Sequence, residues 1–221
     1  MEINTYIDHT ILKADATVSD VKKICDEAKE YEFASVCINP ANLEFAAGQL
    51  KGTGVKTCVV VGFPLGANTK AVKLFETEDC IKNGADEIDM VINVGFLKSG
   101  RTDEVCEEIR EIKKVCGNRI LKVIIETCYL TDEEKKTACE LAVKAGADFV
   151  KTSTGFGTGG ATEADVKLMK AAVGNKALVK ASGGVRDFTT AMKMIESGAS
   201  RLGTSNGIAI IKDRPAEAGS Y

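Results

Sequence analysis

The chain has 221 residues, 44% of them apolar, enough for one large domain with a packed core. Its net charge of −3, with acids and bases interspersed, offers no basic field and excludes a nucleic-acid-binding reading. None of the eight cysteines forms a Cys-x-x-Cys pair, no charged-then-apolar leader opens the chain, and no apolar run is long enough to span a bilayer, so the expectation is a cytoplasmic protein with reduced thiols and no membrane partner.

Residues 6–9 read as a first strand, and 17–30 as an amphipathic helix on which Val21, Ile24, Cys25 and Ala28 recur at helical spacing. Short β-branched runs at 35–39, 57–62, 87–93, 121–127, 149–153, 178–181 and 201–204 continue the series, with helical stretches between them. Thr131 and Glu134 form a capping box that opens one of those helices. Gly84-Ala85-Asp86, Gly146-Ala147-Asp148 and Gly198-Ala199-Ser200 each close a helix ahead of the fourth, sixth and eighth strands, so the repeating unit is two βα modules. Repeated β-then-α order implies parallel strands with right-handed crossovers. Eight of them predict an α/β fold: one (β/α)8 TIM barrel over residues 1–221 with a loose tail at 215–221. A doubly wound open sheet is the alternative.

Parallel strands covered on both faces should be almost wholly apolar, and several here are not. Alternation along 87–93 turns Ile88, Met90 and Ile92 toward the helices and Glu87, Asp89, Val91 and Asn93 toward the barrel interior. Lys151 and Lys180 fall near the C-terminal ends of successive strands, the end at which barrel enzymes build their sites. Lys122 falls at the start of its strand and reads as structural, at the opposite rim, while Glu126 near the end of that strand reads as lining the site.

A structural ion pair would account for one lysine and one aspartate. It gains nothing from two lysines side by side, whereas an amine nucleophile does. At pH 7 an ordinary lysine, pKa ~10.4, is neutral about one time in 2,500. Two ammonium groups ~6 Å apart repel by about 2.8 kcal/mol at an effective dielectric of ~20, which favours release of one proton. Such an amine attacks carbonyls and forms a Schiff base, with Asp89 placed to shuttle protons. The single His9 excludes a zinc site built on three imidazoles of one chain, and no cofactor is expected.

The loops after the seventh and eighth strands are glycine-rich. They read Ser182-Gly183-Gly184-Val185-Arg186 and Gly203-Thr204-Ser205-Asn206-Gly207, the second opening a short helix. Loops at these two strand numbers form the phosphate site of many barrels, where glycines let amides approach an anion. Gly155 can add another amide. The site residues read for phosphate are therefore Gly155, Gly183, Gly184, Val185, Arg186, Gly203 and Ser205.

Glu87-Ile88-Asp89-Met90-Val91, Val150-Lys151-Thr152-Ser153-Thr154-Gly155 and Val179-Lys180-Ala181-Ser182-Gly183-Gly184-Val185-Arg186 together resemble the deoxyribose-phosphate aldolase family. Ile7-Asp8-His9-Thr10 and Cys37-Ile38-Asn39-Pro40 resemble it too, so the likeness spans nearly the whole chain. It implies reversible cleavage of 2-deoxy-D-ribose 5-phosphate to acetaldehyde and D-glyceraldehyde 3-phosphate. It implies Lys151 as the Schiff-base lysine, Lys180 as its proton-relaying neighbour and Asp89 as proton donor and acceptor. Asp8 and Cys37 become site-lining residues, and Tyr221 resembles a terminal tyrosine that some members fold over the site. Phe156 departs from members that carry a lysine after the glycine, which leaves Arg186 more of the phosphate. The expected partners are a sugar phosphate, an aldehyde and further copies of the chain. The competing readings are a phosphosugar isomerase barrel, or a barrel that binds phosphosugars without catalysis.

Overall fold

The computed structural model describes residues 2–212. Its strands are β1 (Ile7–Ile11), β2 (Ser35–Ile38), β3 (Lys56–Val61), β4 (Glu87–Val91), β5 (Ile120–Ile124), β6 (Phe149–Lys151), β7 (Leu178–Ser182) and β8 (Arg201–Thr204). They pair in chain order, all parallel, and β8 returns to β1 to close the barrel. The helices are α1 (Val18–Glu30), α2 (Leu43–Leu50), α3 (Lys70–Lys82), α4 (Val94–Lys98), α5 (Thr102–Cys116), α6 (Asp132–Lys144), α7 (Glu163–Val173), α8 (Phe188–Glu196) and α9 (Gly207–Ile211). The fold is the expected (β/α)8 barrel. None of the described helices is long and apolar enough to cross a membrane. The expected loose tail and Tyr221 lie outside the described residues.

Period-two alternation positions the site. Ile88 and Met90 of β4 join the apolar layer between barrel and helices with Val59, Val123, Val150 and Val179, while Glu87 and Asp89 turn inward. Two strands end earlier than the apolar runs suggest. Asn93 does not face the interior: its Oδ1 accepts the Phe96 amide at 3.0 Å and starts α4. Glu126 adopts a left-handed backbone, φ 55°, and the chain turns there.

The Gly-Ala-Asp repeat has a structural role. Gly84, Gly146 and Gly198 have φ of 104°, 86° and 111°, a conformation that side chains resist. Asp86 and Asp148 then accept the amides of Thr57 and Leu121, at 2.9 and 2.8 Å, at the starts of the preceding strands. The first two copies thus each tie a new strand to the one before it. Capping boxes at Thr17–Asp20 and Thr131–Glu134 fix the starts of α1 and α6.

Candidate active site

Asp89 is the centre of a buried charge cluster inside the barrel. Its Oδ2 accepts from the ammonium groups of Lys151 and Lys180, each at 2.8 Å. Its Oδ1 accepts from Lys122 at 2.8 Å and from the Cys58 thiol at 3.1 Å. Lys180 also meets Asp8 Oδ2 at 2.5 Å, and Lys122 meets Glu87 Oε2 at 2.5 Å. Arg201 bridges Asp8 and Glu87 beneath them. Strand register produces this assembly: Lys151 is the ladder partner of Lys180, Lys180 of Arg201, and Asp89 of Lys122.

Lys122 therefore does not sit at an opposite rim. It is fully buried on the level of Asp89, and its four-carbon stem carries the ammonium into the cluster. Arg201 was not among the candidates either, although it and Lys122 are the charges that break the apolar runs of β8 and β5.

Counting charges defines the chemistry. Asp8, Glu87 and Asp89 supply three negative charges, and Lys122, Lys180 and Arg201 supply three positive ones. Lys151 adds a further cationic group to Asp89 Oδ2, and the Cys37 thiol lies close to the same carboxylate. An uncompensated charge in a low-dielectric interior is costly.

Asp89, Asp8 and Lys180 hold their charges. Burial would raise Asp89, yet Lys122, Lys151 and Lys180 keep its carboxyl well below the usual range. Burial would likewise raise Asp8, but Lys180, Arg201 and Lys122 hold it down. Burial opposes the charge on Lys180, and Asp8 and Asp89 overcome it, raising its pKa. Asp8 and Asp89 thus stay ionised in the fold far below an unfolded value of about 3.9. Their stabilisation is complete above that value and is lost as pH falls through the lowered folded values, where the unfolded chain binds protons that the fold refuses. Denaturant titrations from about pH 5 down to about pH 2 should show stability falling steeply below about pH 4. Asp8→Asn, although weaker at neutral pH, should fall less steeply; an equal slope would place the acid sensitivity elsewhere.

The loops at the C-terminal end are held by Glu126. Its carboxylate accepts the Thr154 amide at 3.2 Å and a short bond from the Thr154 hydroxyl, which in turn accepts the Phe156 amide at 3.0 Å. Burial raises its pKa against the Thr154 hydrogen bonds. Phe156, 51% exposed, packs edge-on against Phe63 with ring centroids 5.3 Å apart. It lines both a cavity of about 540 Å³, shared with Leu12, Ser205 and Asn206, and a smaller one of about 70 Å³ beside Glu126 and Thr154.

The expected phosphate residues divide. Gly183 and Gly184 both have φ of 81°, and Gly184 is exposed with open space where a Cβ would stand. Gly183 packs on Gly160, whose neighbour Ala161 donates its amide to the Ser182 and Gly183 carbonyls. Arg186 is exposed and makes no side-chain hydrogen bond or ion pair among the described residues. Ser205 lines the larger cavity and Gly155 is half-buried in the loop after β6. The remaining two, expected to offer backbone amides, lie in tighter surroundings. Val185 is in the core, its carbonyl accepting the Thr204 hydroxyl at 2.6 Å. Gly203 is inside β8, where a Cβ would stand 2.9 Å from Ser182 Cβ and 3.0 Å from Lys180 Cε, so its missing side chain makes room for Lys180.

A closed parallel barrel with lysines paired across neighbouring strands beside a buried aspartate is the architecture of a (β/α)8 lyase of the aldolase class. The chain belongs to the DeoC/LacD family of aldolases, whose model matches residues 3–213. Deoxyribose-phosphate aldolase of Carboxydothermus hydrogenoformans is 60% identical over 96% of this chain and 94% of that protein. Deoxyribose-phosphate aldolase of Clostridium tetani is 58% identical over 96% of this chain and 99% of its own. Among solved structures, the tetrameric deoxyribose phosphate aldolase of Aeropyrum pernix superposes with a TM-score of 0.89 at 32% identity, covering 95% of this chain and 89% of that one.

Proposed function

We propose that the chain reversibly cleaves 2-deoxy-D-ribose 5-phosphate to D-glyceraldehyde 3-phosphate and acetaldehyde through a Schiff base on Lys151. The observation that carries this reading is the shared Asp89 Oδ2, which places Lys151 beside a second ammonium, that of Lys180.

The neutral Lys151 amine attacks the C1 aldehyde, forming the C–N bond of a carbinolamine. Loss of water gives an iminium. Removal of the C3 hydroxyl proton then lets the C2–C3 bond break, its electron pair passing into the iminium to leave an enamine, while glyceraldehyde 3-phosphate departs. Protonation of the enamine carbon and hydrolysis release acetaldehyde and restore the amine. Asp89 is a poor base while three ammonium groups surround it. When the Lys151 nitrogen is neutral, as amine or carbinolamine, one of those cations is gone and the carboxylate regains basicity. Lys180, held charged by Asp8 and Asp89, stands beside the reacting nitrogen.

Gly183, Gly184, Arg186 and Ser205 are assigned to the remote phosphate. Arg186→Ala should raise KM for the phosphorylated sugar by roughly ten- to a hundredfold, with little effect on plain 2-deoxyribose, since it removes a group that touches only the phosphate. Equal effects on both substrates would remove Arg186 from that role. Turnover of the two sugars, followed by aldehyde release, also tests the main reading: an isomerase barrel would release no acetaldehyde.

The expected copies of the chain fit α3, whose amphipathicity is inverted. Lys73, Thr77 and Cys80 face inward while Val72 and Phe75 are exposed, an apolar face suited to a homo-oligomer contact like those a tetrameric relative must make.

A further inference from the structure

Cys37 and Cys58 are ladder partners on β2 and β3, both fully buried and both turned toward the charge cluster. Their sulfur atoms and an Asp89 carboxylate oxygen lie within 4.8 Å of one another. Such a trio suggests a metal site, but Asp89 has no oxygen to give. Four donors already occupy its two oxygens, and three of them are ammonium groups. What remains is a thiol pair on neighbouring strands. Ladder neighbours lie about 4.8 Å apart, inside the roughly 4.4–6.8 Å span that a disulfide bridges.

We propose that Cys37 and Cys58 form a peroxide-oxidisable dithiol whose closure to a disulfide switches the site off. The two thiols differ in the way this requires. The Cys58 S–H, when turned from Asp89 to the Cys37 sulfur, together with the Lys180 ammonium brings the Cys37 thiol down to about 7 against its burial. Burial and Cys37 itself push the Cys58 thiol up. Elsewhere burial raises Cys25 and Cys116 to about 11, and Cys80 and Cys139 to about 12, which leaves those thiols unreactive.

The Cys37 thiolate attacks a small hydroperoxide, forming an S–O bond as the O–O bond breaks and hydroxide or alkoxide leaves. The Cys58 sulfur then attacks the resulting sulfenic acid. The S–S bond forms, the S–O bond breaks, and the departing hydroxide takes the Cys58 proton as water. Two thiols lose two electrons and the peroxide gains them. Closure also removes the Cys58 S–H that donates to Asp89 Oδ1, and it draws that sulfur from the Lys122 ammonium 3.3 Å away. Asp89 then loses part of what orients it between the lysines.

The test is a titration of the intact protein with hydrogen peroxide, read by non-reducing peptide mapping and by sugar-phosphate turnover. A Cys37–Cys58 cross-linked peptide should accumulate in step with a loss of activity of about tenfold or more, and dithiothreitol should reverse both. In Cys58→Ala, Cys37 should instead pass to a sulfinic acid that dithiothreitol leaves in place. Inactivation without the cross-linked peptide, or full cross-linking with activity kept, would overturn the proposal. The peptide map on the wild-type chain needs no variant and no substrate, so it stands apart from the aldolase reading.

Discussion

Lys151→Arg should lose all but a trace of turnover, a fall of about a thousandfold or more, while the barrel stays folded. An arginine preserves the positive charge against Asp89, so the contact that holds Lys151 in the fold has a substitute. Guanidinium does not lose its proton near neutral pH, so no nucleophile forms. The variant therefore separates charge from nucleophilicity. Circular dichroism and the melting temperature report the fold, and aldehyde release reports the chemistry. Retention of more than a few per cent of wild-type activity would take the covalent role away from Lys151.

Much of this was legible in the residues because the physics that writes it is local. All eight strands lie where short β-branched runs predict them, and the Gly-Ala-Asp repeat marks three helix ends that the structure confirms. Asp89, Lys151 and Lys180 announce themselves as charges in strands that should be apolar, and period-two alternation aims all three inward. The misplacements share a cause. Lys122 was put at the wrong rim because position along a strand fixes a Cα and not the end of a long side chain, and the β4–β5 register lies beyond one strand's pattern. Gly203 looks like a loop glycine, but the space it leaves is filled by Lys180 from the next strand. Asn93 alternates correctly yet leaves the strand because its side chain caps a helix. Arg201 and Cys58 matter only through partners on other strands, and no single-strand pattern displays those.

Removing the second lysine should have the other large effect. In Lys180→Leu, Lys151 keeps its contact with Asp89 Oδ2 but loses the ammonium that shares that oxygen. Schiff-base formation at pH 7 should slow by about a hundredfold, from a repulsion of roughly 2.8 kcal/mol between ammonium groups ~6 Å apart. Asp8 also loses its 2.5 Å partner, and breaking a buried pair costs about 3–5 kcal/mol, so the variant should melt earlier. Rates are therefore compared at a temperature where both proteins are folded. A purely structural Lys180 would lower the melting temperature and leave the pH dependence of the amine untouched.

The most direct test follows that pH dependence. Wild type and Lys180→Leu are incubated with acetaldehyde across about pH 6–10, reduced with borohydride, and mapped for the modified lysine. In both, the adduct should fall on Lys151, and the midpoint for trapping should lie about two pH units higher in the variant. An adduct on another residue, or a midpoint that does not move when Lys180 is removed, would contradict the account.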